Sequence, residues 1–351
     1  MTGPAKPPQV TPQLDRRSFC RDGLLIASAG LLVGERAQAA KAAPKIGEPL
    51  KTVPFATVKP QPPINIRADA YGQTAINLSR LAALTTRCKL DIAYGSGEAQ
   101  RLDVYMPADS NAKNLPVFVN IHGGGWTHGY KEWMGLNAPA ITQFPAVYVS
   151  IEYGLSPAQR FPGHLHDCLQ AVAWVHQNIA GFGGDPNRIC VGGHSAGAHL
   201  SALLTVRRDL HARFGLPDGV IRACLPYSGV YDLRELEVYG QPTSGSPAAA
   251  LLASRADADA ASPIVHLQGN RTPFFITWSE NDNVLCRAQS PTFLMALRAQ
   301  GSRAEGHMFP MFDHFWIHVD QQNPNNLWTR TLRSWMTSDP NTAPVATSQH
   351  S

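Results

Sequence analysis

Gly193-His194-Ser195-Ala196-Gly197 follows a short β-prone run, Arg188–Val191, and opens a helical pattern, Ser195–Thr205. Gly-x-Ser-x-Gly at a strand-to-helix junction is the spacing of a nucleophile elbow, a tight turn that exposes a serine hydroxyl. The flanking glycines leave room for a strained serine backbone and for close helix–strand packing. The helix start turns its dipole toward developing negative charge. A hydroxyl needs a base, and the base needs an orienting carboxylate. With this elbow the chain order is serine, acid, histidine. Ser279-Glu280-Asn281-Asp282-Asn283 comes after the run Phe274–Trp278, so Asp282 is the expected acid, with Glu280 as the alternative. Phe312-Asp313-His314-Phe315 follows the last β-prone run, around Gly306–Met311, so His314 is the expected base. His307, at the start of that run, is the weaker candidate, and His164, His166 and His176 read as surface or packing residues.

A second motif, His122-Gly123-Gly124-Gly125-Trp126, follows the apolar run Pro116–Ile121. Acyl transfer requires preorganised N–H donors for an oxyanion, and three glycines let the backbone present them without Cβ clashes. A phosphate-binding turn is the competing interpretation. Against it, no Lys-Ser/Thr follows and no Gly-x-Gly-x-x-Gly spacing is present. No His-Glu-x-x-His or Cys-x-x-Cys occurs. Neither a metal nor a cofactor is therefore expected.

These motifs need a scaffold whose strand ends converge. β-Prone runs occur at Lys89–Tyr94, Arg101–Tyr105, Pro116–Ile121, Ala146–Ile151, Arg188–Val191, Ala223–Tyr227, Phe274–Trp278 and around Gly306–Met311. Val117-Phe118-Val119 and Val147-Tyr148-Val149 are continuously apolar, as strands buried on both faces of a parallel sheet are. Helical patterns at His164–Ile179, Ser195–Thr205, Ala288–Ala299 and Asn325–Met336 lie between or after them. Gly95-Ser96-Gly97 joins the first two runs as in an antiparallel hairpin. The expected class is α/β: a mostly parallel sheet of about eight strands with helices on both faces. Residues 232–269, rich in Gly, Pro, Ala and Asp, read as an insertion after the sixth strand, a small lid or pocket wall.

The ends read differently. Arg16-Arg17-Ser18-Phe19, an apolar stretch from Gly23 to Gly34 and Ala37-Gln38-Ala39 have the order of a cleavable export signal of twin-arginine type. Residues 1–39 are expected to be removed, for a periplasmic or secreted product. Residues 40–63, with six prolines, read as a loose arm, 64–338 as the hydrolytic domain, and 339–351 as a disordered tail. The 351 residues carry a net charge of +4, half of it in the export segment, so nucleic acid is not an expected partner. No apolar run approaches the ~18 residues of a bilayer span. Gly (29) and Pro (28) exceed their usual joint share of about 12% without any period, which excludes collagen and implies many turns. Of six cysteines, Cys88, Cys168, Cys190, Cys224 and Cys286 would remain after cleavage, mostly as buried thiols, with one or two disulfides left open.

Taken together, His122–Trp126, Gly193–Leu200, Ser228–Leu233, Glu280–Ser290 and Asp313–Phe315 resemble the α/β-hydrolases of the esterase/lipase group that carry a His-Gly-Gly-Gly loop, above all arylformamidase-like and small carboxylesterase members. The resemblance implies a triad of Ser195, Asp282 and His314 and an oxyanion hole from the N–H groups of Gly124, Gly125 and Ala196. Tyr153-Gly154-Leu155-Ser156-Pro157 departs from the Tyr-Arg-Leu-x-Pro of many relatives. For Phe309, Phe312, Phe315, Trp316 and Trp126 core packing is the ordinary interpretation. Trp126, His194 and Phe315 are the residues assigned to a substrate pocket, and Trp126 is the one most expected to touch substrate. The expected function is hydrolysis of short-chain or aromatic carboxylic esters. Amide hydrolysis of the arylformamidase kind is the alternative, and a non-catalytic binding protein is the alternative of another class.

Overall fold

The computed structural model describes residues 54–55, 58–234 and 250–346. The expected export signal (1–39), most of the arm, the middle of the insertion and residues 347–351 lie outside the described residues. Eight strands form one sheet: β1 Arg87–Ala93, β2 Arg101–Met106, β3 Leu115–Ile121, β4 Val147–Ile151, β5 Gly184–His194, β6 Ile221–Tyr227, β7 Phe274–Asn281 and β8 Ala304–Asp313. Their spatial order is β1-β2-β4-β3-β5-β6-β7-β8. Only β2 runs against the rest, pairing antiparallel with β1 and β4.

Alternation along the central strands builds two cores. Val117, Val119, Ile121, Val147, Val149 and Val191 face one, while Phe118, Tyr148, Cys190, Leu225 and Tyr227 face the other. The first core is closed by three helices: α2 (Gly163–Asn178), α3 (Ala196–Val206) and α4 (Val284–Ala299). The second is closed by α5 (Leu327–Thr337), with Trp328, Leu332 and Trp335, and by α1 (Ile66–Thr85).

Helix α1 is absent from the pattern of large apolar residues, because its buried stripe is Ala68, Tyr71, Gly72, Ala75, Ser79 and Ala82. These follow the 3–4 spacing of a buried helix face, but five of the six are small. The indole of Trp133 packs so closely on Gly72 that a Cβ there would meet it at 2.9 Å. Asn65 caps the helix by accepting from the Arg67 and Ala68 N–H groups.

Both expected loose ends are tied down where they are described. Gln61 bonds the backbone of Gly129 in both directions, at 2.9 and 2.8 Å, and the Tyr130 hydroxyl donates to the Lys59 carbonyl. At the other end Ala343 is buried, and the Arg303 guanidinium donates to the carbonyls of Pro340 and Ala343. Prolines gave both segments a disordered look, but side chains elsewhere satisfy their backbone. Cys88, Cys168, Cys190, Cys224 and Cys286 are free thiols, four of them buried, so no disulfide joins the described residues.

Candidate active site

Strand β5 ends at His194 and α3 begins at Ala196, leaving Ser195 alone at the turn with φ 54° and ψ −116°. A non-glycine residue held at positive φ stores strain, which the surrounding structure must enforce. Enforcement is visible: the Ser195 N–H donates to Tyr227 O at 3.1 Å, and the flanking glycines permit contacts no side chain could share. A Cβ on Gly193 would sit 2.5 Å from the Gly197 backbone, and one on Gly197 would sit 2.0 Å from Ile121 O.

Three residues from three strand ends then meet. His314 Nε2 lies 3.0 Å from Ser195 Oγ, and His314 Nδ1 lies 2.5 Å from Asp282 Oδ1. Because a carboxylate only accepts, Nδ1 carries the proton and Nε2 is left to accept from the serine. Asp282 is buried, which by itself would raise its pKa. Hydrogen bonding and charge from His314, with further hydrogen bonds from Ser228 and the Ser279 N–H, hold the group below its ordinary value. Glu280 instead accepts from the Met311 N–H, out on the surface, and His307 sits against Phe309 on β8. Neither alternative joins the chain. Asp282, Cys286 and His314 also bring three metal-ligating atoms within 4.8 Å of one another. The Asp282 and His314 atoms are already bonded to each other, and the Cys286 thiol donates to Ser228 O at 2.9 Å.

The loop after β3 passes beside this chain. Gly124 (φ 114°) and Gly125 (φ 61°) line the same cavity as Ser195 and His314. Ala196 is the first residue of α3, so its N–H is one of the helix's unpaired donors. At Gly124 a Cβ would come within 2.0 Å of His128 O, so glycine is required there.

Residues 102–297 match the BD-FAE family pattern. The chain belongs to this family. It is also 35% identical over 234 residues to the esterase LipQ of Mycobacterium tuberculosis, which covers 64% of the chain and 55% of LipQ. With kynurenine formamidase of Danio rerio the identity is 27% over 257 residues, 72% of the chain and 83% of that protein. The chain spans about half the length of the first of these curated relatives. Among solved structures, the thermostable carboxylesterase EstE1, cloned from a metagenomic library, superposes with a TM-score of 0.62 at 23% identity, over 76% of this chain and 96% of that one. A truncated carbohydrate esterase from gut microbiota gives 0.63 at 19%, over 73% and 97%. These likenesses establish an α/β-hydrolase fold.

In this BD-FAE chain the cavity above Ser195 measures about 470 Å³. Its lining corrects part of the pocket expectation. Phe315 and His194 border it, but Trp126 does not. The Trp126 ring is 5% exposed, and its indole N–H donates to His199 Nδ1 at 3.2 Å. His199 Nε2 in turn donates to Ala261 O, which fixes the tautomer that accepts from Trp126. Burial drops His199 to about 4, so the ring stays neutral. Trp126 therefore belongs to the core, although it borders the His122–Gly125 loop in sequence. His194 serves less as a surface than as a strut: its Nε2 donates to His314 O at 2.7 Å. Burial, with charge repulsion from His314 and His318, keeps it well below the ordinary histidine value.

The opposite wall carries residues that sequence patterning missed: Pro63, Ile64, Ala68 and Tyr71, from the strap before α1 and the helix itself. Tyr71 stacks on Phe315 at 4.9 Å and hydrogen-bonds His318 Nδ1 at 2.8 Å. Arg67 reaches Asp313, the residue before His314, at 2.7 Å. Their only sequence signal is Asn65 three residues before Ala68, a helix cap without a strong apolar stripe behind it. Ser228 was legible as part of the quoted motif, but its 2.5 Å bond to Asp282 was not.

Proposed function

We propose that this protein is a serine hydrolase of carboxylic esters, acting through an acyl-enzyme on Ser195. The observation that carries this is the hydrogen-bonded chain Ser195–His314–Asp282, beside Gly124, Gly125 and the free start of α3. His314 takes the Ser195 proton as Oγ attacks the ester carbonyl. The N–H groups of Gly124, Gly125 and Ala196 hold the oxyanion, and His314 then protonates the departing alcohol. Water repeats the sequence and releases the acid. Asp282 keeps the imidazole in the working tautomer and stabilises its charged form. The name of the relative LipQ, an esterase, supports ester hydrolysis.

The cavity, walled by Ile64, Tyr71, Trp133 and Phe315, suits short-chain or aromatic esters. The match to kynurenine formamidase over 83% of its length favours a second reading, hydrolysis of an N-formyl aryl amide. Residues 1–39 are proposed to direct export with cleavage near Ala39, which N-terminal sequencing of the secreted protein tests. A nitrophenyl ester chain-length series run beside N-formylkynurenine separates the two substrate readings. Ser195→Ala should lose at least about 10⁴-fold in kcat with its thermal melt retained. Near-parental turnover in that variant, or no ester and no amide turnover in the parent, overturns the hydrolase reading.

A further inference from the structure

Beneath the oxyanion loop, outside the Ser195 chain, lies a second histidine–carboxylate pair. His122 is fully buried. Its Nδ1 is 2.7 Å from Gly123 O and its Nε2 is 2.7 Å from Glu152 Oε1. A carbonyl only accepts, so Nδ1 donates, and with Glu152 ionised Nε2 donates as well. The other buried histidines differ. His318 accepts from the Tyr71 hydroxyl and donates to Asn137 Oδ1, and His199 accepts from Trp126 and donates to Ala261 O. One proton suffices for each of these, whereas His122 needs two.

Resting on the serine-hydrolase reading, we infer that His122 stands as an imidazolium paired with the Glu152 carboxylate and positions the oxyanion donors. The reason is peptide planarity. Gly123 C=O and Gly124 N–H belong to one trans peptide and point in opposite directions. Pulling Gly123 O onto the imidazolium therefore turns the Gly124 N–H away from it, and polarises that peptide into a stronger donor. The next peptide is held the same way, since Gly124 O accepts from the Thr127 and His128 N–H groups at 3.2 and 2.9 Å.

Every neighbour of His122 and Glu152 fits this charge state. Tyr153 stacks on the imidazole at 4.2 Å with an 8° tilt, and its hydroxyl donates to His122 O. Glu152 Oε2 accepts the Lys131 backbone N–H at 3.1 Å, and the Tyr94 hydroxyl donates to the Glu152 carbonyl. The Lys131 ammonium is turned to Asp103 and Glu132 and so leaves Glu152 unneutralised. Gly129 closes the cage, since a Cβ there would strike His122 Nδ1 at 2.4 Å.

The test is steady-state hydrolysis of p-nitrophenyl acetate by the full chain and by Glu152→Gln. Removing the carboxylate should lower kcat about 10- to 100-fold with KM within about threefold, short of the 10² to 10³ expected for complete loss of a donor. Affinity for a trifluoromethyl ketone, a tetrahedral mimic, should fall by the same factor as kcat/KM, which a merely structural role would not produce. A loss in kcat below tenfold overturns the inference. Neutron diffraction of the parent tests it without a variant. Deuterons on both His122 nitrogens are expected, and a single one, or one on Glu152, overturns it. The hydrolase reading fails separately: in that case the parent neither hydrolyses an ester or amide nor takes up a fluorophosphonate at Ser195.

Discussion

The two walls of the cavity are built on different physics. One is made of strand ends and the turns after β3, β5, β7 and β8. Its side chains are buried, its turns are strained, and each polar atom of the Ser195–His314–Asp282 chain is held by a partner from another strand. The other is a strap and one helix, fastened by Gln61 to Gly129, by Arg67 to Asp313 and by Tyr71 to His318. In the proposed mechanism the first wall is placed where charge would develop. The second offers Ser195 no donor or acceptor, and in the proposed function it chiefly sets which groups fit.

The largest expected effect falls on the strand wall. Asp282→Asn should lower kcat by on the order of 10⁴-fold, because the amide favours the wrong histidine tautomer. Steady-state kinetics measures it, and a loss below tenfold would remove the distinction between the walls.

Acid comes next, and it should act on the buried histidines that support both walls, His318 beneath Tyr71 and His164 and His199 on the helices. Burial holds His318 near 3 and His199 and His164 near 4, against about 6.5 in the unfolded chain. Between those values the unfolded state binds more protons, so stability is lost as pH falls below 6.5. Each such histidine adds a slope of up to about 1.4 kcal/mol per pH unit. Urea midpoints at pH 7 and pH 5 should therefore differ clearly. Equal midpoints would mean that these rings titrate as in the unfolded chain.

The smallest effect belongs to the strap. Gln61→Ala removes two hydrogen bonds, each of net worth about 1 kcal/mol. KM for aromatic esters should rise about three- to tenfold, with kcat within twofold. A fall in kcat comparable to that of Asp282→Asn would show that the strap orders the reacting groups as well.

Legibility in the sequence follows the same division. Tight turns need particular residues, so Gly193–Gly197 and His122–Gly125 announce themselves locally, and β-prone runs marked all eight strands. Helix α1 does not, because the residue that meets Trp133 is Gly72 and most of the remaining buried stripe is alanine, residues that also fill loops. Trp126 misled for the complementary reason. Adjacency to the oxyanion loop says where its backbone runs, but its positive φ and its bond to His199 decide where the ring goes.

By itself the sequence determined the α/β alternation, the turn at Ser195 and the glycine loop, since each depends on backbone geometry that few residue types allow, and it gave the chain order of Ser195, Asp282 and His314. Tertiary structure alone decided that His314 meets Asp282 and not Glu280, that Ser228 and Glu152 bond the reacting groups' supports, and that the chain before α1 closes the cavity. Those outcomes rest on contacts between residues up to 247 positions apart, as Tyr71 and His318 are, and no local pattern encodes such a distance.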